Sequence, residues 1–189
     1  MKKVGLLGGT FDPPHYGHLL IGEEVYNKLD LDEVWFIPSF EPPHKDKATT
    51  SASNRIAMVE AAIHDNPHFK LNTIEVERSE KSYTIHTIEV LQEQYPNITF
   101  YFIIGADMVE YLPNWYDIDR LMEKIKFVGV KRADYQLNTD YPVIEVDIPG
   151  LEISSTLIRD RIAQGESINY LTPPQVIDLI KEAQLYGKK

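Results

Sequence analysis

Short apolar runs rich in β-branched and aromatic residues alternate along the chain with segments whose apolar positions recur three and four apart. Residues 4–7 form such a run, closed by Gly8-Gly9, and residues 19–29 carry the helical spacing, so the chain opens as strand, turn and helix. Residues 34–37 give a second strand pattern and 55–63 a second helical one, followed by 71–76 as a third strand and 85–95 as a helix. Residues 99–104 are almost continuously apolar, the mark of a strand buried on both faces. The pattern then predicts a helix over 117–124 and strands over 127–130 and 143–146. Strands alternating with helices at this spacing imply βαβ units and therefore an α/β fold with a doubly wound parallel sheet. Ligands of such sheets bind beyond the carboxyl ends of the strands, near the point where the strand order reverses.

The C-terminal region, about 150–189, reads as a small helical subregion with helices over 153–162 and 172–183. Thr172-Pro173-Pro174-Gln175 has the form of a capping box with proline at the first helical position. The long polar stretch from Pro38 to Asn54 is a candidate lid, because loops of that length in compact domains commonly cover or bind ligands.

With 189 residues, the chain fits a single domain over 1–189 that can bury a real core, and 43% hydrophobic with 25% charged residues places it among soluble globular proteins. No cysteine is present, which excludes disulfides, thiolate metal sites and a cysteine nucleophile. Met1-Lys2-Lys3 and the apolar residues after it begin like a signal peptide, but Gly8, Gly9, Asp12 and two prolines break the run. The cytoplasm is the expected compartment, and no membrane association is expected. A net charge of −10 opposes nonspecific binding to nucleic acid, while leaving room for a small anion in a locally basic pocket. A homo-oligomer is left open.

The densest chemistry lies in Gly8-Gly9-Thr10-Phe11-Asp12-Pro13-Pro14-His15-Tyr16-Gly17-His18, between the first strand and the first helix. It is neither a P-loop nor a dinucleotide fingerprint. Small residues let a ligand approach the backbone, the helix start favours an anion, and His15 and His18 share a face if the helix begins near His15. On the residues alone the turn stays open between a phosphate site, a metal site completed from elsewhere and a plain helix cap. Ser154 likewise reads as an N-cap and Arg159 as a solvated charge, or both as parts of a phosphate site.

That string resembles the signature of the HxGH nucleotidyltransferase superfamily, whose members transfer a nucleoside monophosphate and release pyrophosphate. Ile153-Ser154-Ser155-Thr156-Leu157-Ile158-Arg159 is similar to the superfamily's second signature. Ile104-Gly105-Ala106-Asp107-Met108 and Asn114-Trp115-Tyr116 resemble its bacterial nicotinate-mononucleotide adenylyltransferase branch in particular. The likeness covers nearly the whole chain. It implies a Rossmann-like nucleotidyltransferase fold, ATP and nicotinate mononucleotide as substrates, and Mg2+ carried by the ATP phosphates, with no protein metal site.

The resemblance further implies that His15, His18 and Arg159 act on the ATP phosphates, with Gly8, Gly9, Thr10, Phe11, Ser154 and Ser155 around them. Gly105 and Asp107 fall to the ATP ribose, and Lys131 and Arg132 to adenine or phosphate, or to the surface. For the acceptor, Trp115 offers a face for a pyridine ring, with Tyr116 beside it. Ser82-Tyr83-Thr84 precede a helix whose N-terminus suits the nicotinate carboxylate. Lys45, with His44, lies in the candidate lid and is placed to bridge the two substrates' phosphates; Asp12 meets the acceptor or a magnesium-bound water, or merely forms the turn. The absence of an obvious general base suits this reaction, since a phosphate monoester with a second pKa of about 6 is already an ionised nucleophile. Competing readings are a pantetheine-phosphate adenylyltransferase or cytidylyltransferase, against which the Trp115 region speaks, and a non-catalytic nucleotide sensor. His64, His68 and His86 belong to no constellation and read as surface or helix residues.

Overall fold

The computed structural model describes residues 1–40, 48–78, 81–131 and 135–187. Six parallel strands form one sheet: β1 (Lys2–Gly9), β2 (Glu33–Pro38), β3 (Phe69–Leu71), β4 (Ile98–Gly105), β5 (Lys126–Lys131) and β6 (Val143–Asp147). Their order is β3-β2-β1-β4-β5-β6, so the chain builds outward from β1 to one edge and then returns to build from β1 to the other. The carboxyl ends of β1 and β4 therefore part company at the middle of the sheet and open a crevice there. The helices are α1 (Tyr16–Leu29), α2 (Ala52–Ile63), α3 (Ile74–Arg78), α4 (Thr84–Gln94), α5 (Ala106–Tyr111), α6 (Ile118–Lys124), α7 (Ser155–Gln164) and α8 (Pro174–Glu182), with a 3-10 turn at Leu112–Asn114. This is the expected doubly wound α/β architecture.

Alternation along the central strands divides the core in two. Val4, Leu6, Trp35, Ile37, Phe100 and Phe102 pack with α4 and α6, whereas Leu7, Val34, Phe36, Tyr101 and Ile103 pack on the opposite face with Val25 of α1 and Val59 of α2. A third cluster joins the C-terminal helices to the body, with Ile158 of α7 and Val176, Ile177 and Ile180 of α8 against Met58 of α2.

Two local expectations fail. The strand predicted over 71–76 ends at Leu71, and residues 74–78 are helical. The Asn72 side chain accepts a hydrogen bond from Ile74 N–H at 3.1 Å, a local turn that outcompetes the sheet ladder despite β-branched Ile74 and Val76. The capping box at Thr172 does not form either: Pro173 is the N-cap and Thr172, buried, donates its hydroxyl to the Pro14 carbonyl at 2.8 Å. Pro174 does occupy the first helical position. The helix α5 directly after β4 was not foreseen.

Candidate active site

The turn between β1 and α1 is buried, with Phe11, Asp12, Pro13, Pro14 and His15 all withdrawn from solvent. Its two prolines have no N–H to give, so its carbonyls must find donors elsewhere. Four side chains supply them, each at 2.8 Å: Arg55 to Thr10, Arg159 to Asp12, Ser155 to Pro13 and Thr172 to Pro14. Phe11 adopts a left-handed backbone (φ 52°) and lays its ring over Gly9, where a Cβ would come within 3.0 Å of it. The same ring meets His18 edge-on at 4.9 Å between centroids.

His15 caps α1, and its ring stacks on that of His18 at 3.7 Å. The two imidazoles are thus brought together as their spacing implied. His15 N–H donates to His18 Nδ1 at 3.2 Å, which leaves the proton of a neutral His18 on Nε2 as a directed donor. Burial lowers the His15 pKa to about 4, so this ring is neutral at physiological pH. Its Nδ1 is buried and has no hydrogen-bond partner among the described residues. Gly17 lies beneath: a Cβ there would sit 2.9 Å from His15 Nδ1. The glycine between the histidines is a steric requirement of their stacking.

The second motif begins α7. Ser154 is the N-cap, accepting from Leu157 N–H at 3.1 Å, and so keeps its own O–H to donate. Ser155 has committed its proton to Pro13. Arg159, one turn on, reaches Asp12 with one nitrogen and Thr156 with the other, at 2.8 and 3.1 Å. The start of α7 thereby lies directly against the histidine turn, and two motifs separated by 142 positions at the Ser155–Pro13 contact form one surface.

On the other side of the crevice a cavity of about 140 Å³ runs from Gly8, Gly9 and Thr10 to Ser82, Tyr83, Thr84, Trp115 and Tyr116. Ser82, Tyr83, Thr84, Trp115 and Tyr116, expected on the acceptor side, are gathered at one place with Gly8, Gly9 and Thr10, expected on the ATP side. Thr84 opens α4 behind the N-cap Tyr83. Trp115 is half-buried, edge-on to Phe102 and Phe127 at 5.9 Å, so it is anchored in the core and also lines the cavity. Tyr116 is exposed and packs on Tyr83 at 5.0 Å. His86, read as a surface residue, is exposed as expected but adds its ring to Tyr83 and Tyr116 at the cavity's edge. His64 and His68 lie elsewhere, against Asp65 and Tyr26.

Gly105 ends β4 and caps α5, and Asp107 is exposed in the first turn of that helix. Lys131 ends β5, but its ammonium is paired with Asp147 at 3.0 Å and Glu145 at 3.5 Å. To meet a phosphate it must leave both. Asp12 is buried, and both its oxygens are taken: Oδ2 by the N–H and hydroxyl of Thr49 at 2.6 and 2.7 Å, Oδ1 by the Tyr186 hydroxyl at 2.6 Å. His44, Lys45 and Arg132 lie outside the described residues.

Sequence reasoning missed several residues that build the site. Arg55, only 2% exposed, was absorbed into a helical pattern, Thr172 was read as a helix cap, and Thr49 and Tyr186 carried no motif. Glu75 was assigned to a strand, yet it lines the cavity and accepts from Thr87 at 2.8 Å. Burial raises the Glu75 pKa, opposed by hydrogen bonds from Ser82 and Thr87.

Comparison with known proteins agrees with this geometry. The cytidylyltransferase-like family model matches residues 6–161, a span containing both motifs. A relative from Oceanobacillus iheyensis named probable nicotinate-nucleotide adenylyltransferase is 55% identical over 187 residues, covering 99% of this chain and 98% of the relative. The nicotinate-nucleotide adenylyltransferase of Bacillus subtilis is 48% identical, covering 98% of this chain and 99% of its own length. In fold, the chain is similar to the Plasmodium falciparum nicotinic acid mononucleotide adenylyltransferase complexed with NaAD, with a TM-score of 0.83, 24% identity and 98% of each chain covered. The chain belongs to the cytidylyltransferase-like family and, within it, to the nicotinate-nucleotide adenylyltransferases.

Proposed function

We infer that this chain transfers the adenylyl group of ATP to nicotinate mononucleotide, forming nicotinate adenine dinucleotide and pyrophosphate, through the stacked histidines and the start of α7. A phosphate oxygen of the mononucleotide attacks the α-phosphorus of ATP. The bond from that phosphorus to the bridging oxygen breaks, and pyrophosphate leaves. The nucleophile is already ionised at neutral pH, so no residue has to take a proton from it. What the protein contributes is alignment and donors aimed at developing negative charge.

The observation that carries this reading is the join between the two motifs, Arg159 to Asp12 and Ser155 to Pro13, beside a His18 whose proton, in the neutral ring, the bond at Nδ1 leaves on Nε2. His18 and His15 donate to the α-phosphate region, while Arg159, the Ser154 hydroxyl and the first N–H groups of α7 hold the β- and γ-phosphates. Of the two serines, Ser154 is the phosphate donor, because the Ser155 proton is already spoken for. The donor set is imidazole, guanidinium, hydroxyl and amide, which fits phosphate oxygens rather than a cation. Magnesium accordingly enters on the ATP phosphates, where it neutralises the triphosphate. The acceptor's pyridine ring lies on Trp115, and its carboxylate meets Thr84 and the start of α4. Among the described residues no helix is long and apolar enough to cross a membrane, and we place the reaction in the cytoplasm with its ATP.

The test is magnesium-dependent pyrophosphate release from ATP with nicotinate mononucleotide, nicotinamide mononucleotide and pantetheine phosphate in parallel. The nicotinate compound should be used best. A preference for pantetheine phosphate, or no release with any acceptor, overturns the reading.

A further inference from the structure

Asp12 is gripped by three distant parts of the chain. Its carbonyl takes Arg159 from α7, one carboxylate oxygen takes Thr49 before α2, and the other takes Tyr186 from the segment after α8. The last contact is built with some effort. After α8 the backbone passes twice through the left-handed region, at Gln184 (φ 50°) and Tyr186 (φ 62°), conformations that side chains other than glycine rarely adopt. Leu185 N–H closes the helix end on Ile180 at 2.9 Å, and Leu185 and Tyr186 pack on the third core cluster. The result carries one phenol to the carboxylate of the histidine turn, 174 positions earlier.

Tyr186 is not among the residues lining the cavity between Gly8 and Trp115, and its ring packs on the third core cluster. Among the described residues its hydroxyl donates to Asp12, with the Arg159 and Arg55 guanidinium groups nearby. Asp12 in turn sits between Phe11, whose ring abuts His18, and the prolines leading to His15. We propose that Tyr186 is a positioning residue for adenylyl transfer: through its hydrogen bond to Asp12, it fixes the turn that sets the stacked pair His15 and His18. Burial raises the pKa of the phenol, and the Asp12 charge adds to it, so the hydroxyl remains a donor throughout the working range. The proposal rests on the catalytic reading of the histidines given above.

Tyr186→Phe keeps the ring and removes the donor. It should lower kcat about tenfold, as expected when reacting groups shift by a fraction of an ångström, with KM for each substrate changed less than twofold. Nitrogen NMR of the imidazoles should show His15 and His18 displaced, while His64 and His68 stay fixed as internal references. In an Asp12→Ala background, which removes the acceptor, the same substitution should have no further effect on kcat. Both readouts are taken well below each variant's own melting temperature, so a loss of stability does not enter them. Wild-type turnover, unmoved His15 and His18 resonances, or additive effects in the double variant would each overturn the proposal. Absence of pyrophosphate release by the unmodified chain would instead overturn the catalytic reading, and the NMR comparison stands apart from that outcome.

Discussion

Gly17→Ala separates what helix physics asks of a position from what this site asks. Gly17 lies in the first turn of α1, where alanine would ordinarily stabilise the helix by up to about 1 kcal/mol. A Cβ at this position, however, would stand 2.9 Å from His15 Nδ1, which is 0.5 Å short of the 3.4 Å at which ordinary contact begins. The His15 ring is in turn stacked on His18 at 3.7 Å, so a shift of one disturbs the other. Both rings must therefore shift by about 0.5–1 Å or tilt, at an overpacking cost of about 1–3 kcal/mol offset by the helix gain. Stability should change little, whereas displacement on this scale in a charge-stabilising pair should reduce kcat by about 30- to 100-fold. Steady-state pyrophosphate release together with thermal denaturation reads both quantities. A variant with wild-type turnover would refute the claim that His15 and His18 work as a closely packed pair over Gly17.

Three further outcomes follow from the same geometry. His15 stays neutral in the folded chain down to about pH 4 but takes up a proton near 6.5 when unfolded. The unfolded state therefore binds more protons between those values, and acidification from pH 6.5 to 4 should remove about 3 kcal/mol of stability. In His15→Asn, urea denaturation across that window should lose this component of the slope; an unchanged slope would place the titration elsewhere. Arg55→Met leaves the Thr10 carbonyl without its donor and removes one of the two guanidinium groups beside Asp12, at a cost of about 3 kcal/mol in chemical denaturation. A loss below about 1 kcal/mol would show that the turn does not depend on it. Ser154→Ala removes a helix cap and should cost about 1 kcal/mol and weaken ATP binding, whereas Ser155→Ala should chiefly reduce kcat by loosening the turn; the reverse pattern in KM and kcat would exchange their roles.

How much of this was legible depends on whether the determining interaction was local. The runs at β1, β2, β4 and β5 announce themselves because buried parallel strands need continuous apolar residues. The pairing of His15 with His18 was readable from their spacing at a helix start, and the acceptor-side residues from their likeness to a family. Ile74 and Val76 misled because a single side-chain bond from Asn72 decides against the strand, and propensity does not register it. Thr172 has the composition of a cap, but the helix starts one residue later, behind Pro173, and the Thr172 hydroxyl proton goes to the Pro14 carbonyl. The donors to the turn come from residues 49, 55, 155, 159 and 172, and Tyr186 adds to them. Contacts at such separations leave no periodic trace, so Arg55 looks like any charged residue of a helix until the fold encloses it.

The account stands on charge stabilisation by an oriented imidazole, and His18→Ala tests this most directly. With ATP, magnesium and nicotinate mononucleotide saturating, turnover should fall by about 10²- to 10³-fold, corresponding to about 3–4 kcal/mol, with KM for the mononucleotide little changed. A turnover number near that of the unmodified chain would contradict it.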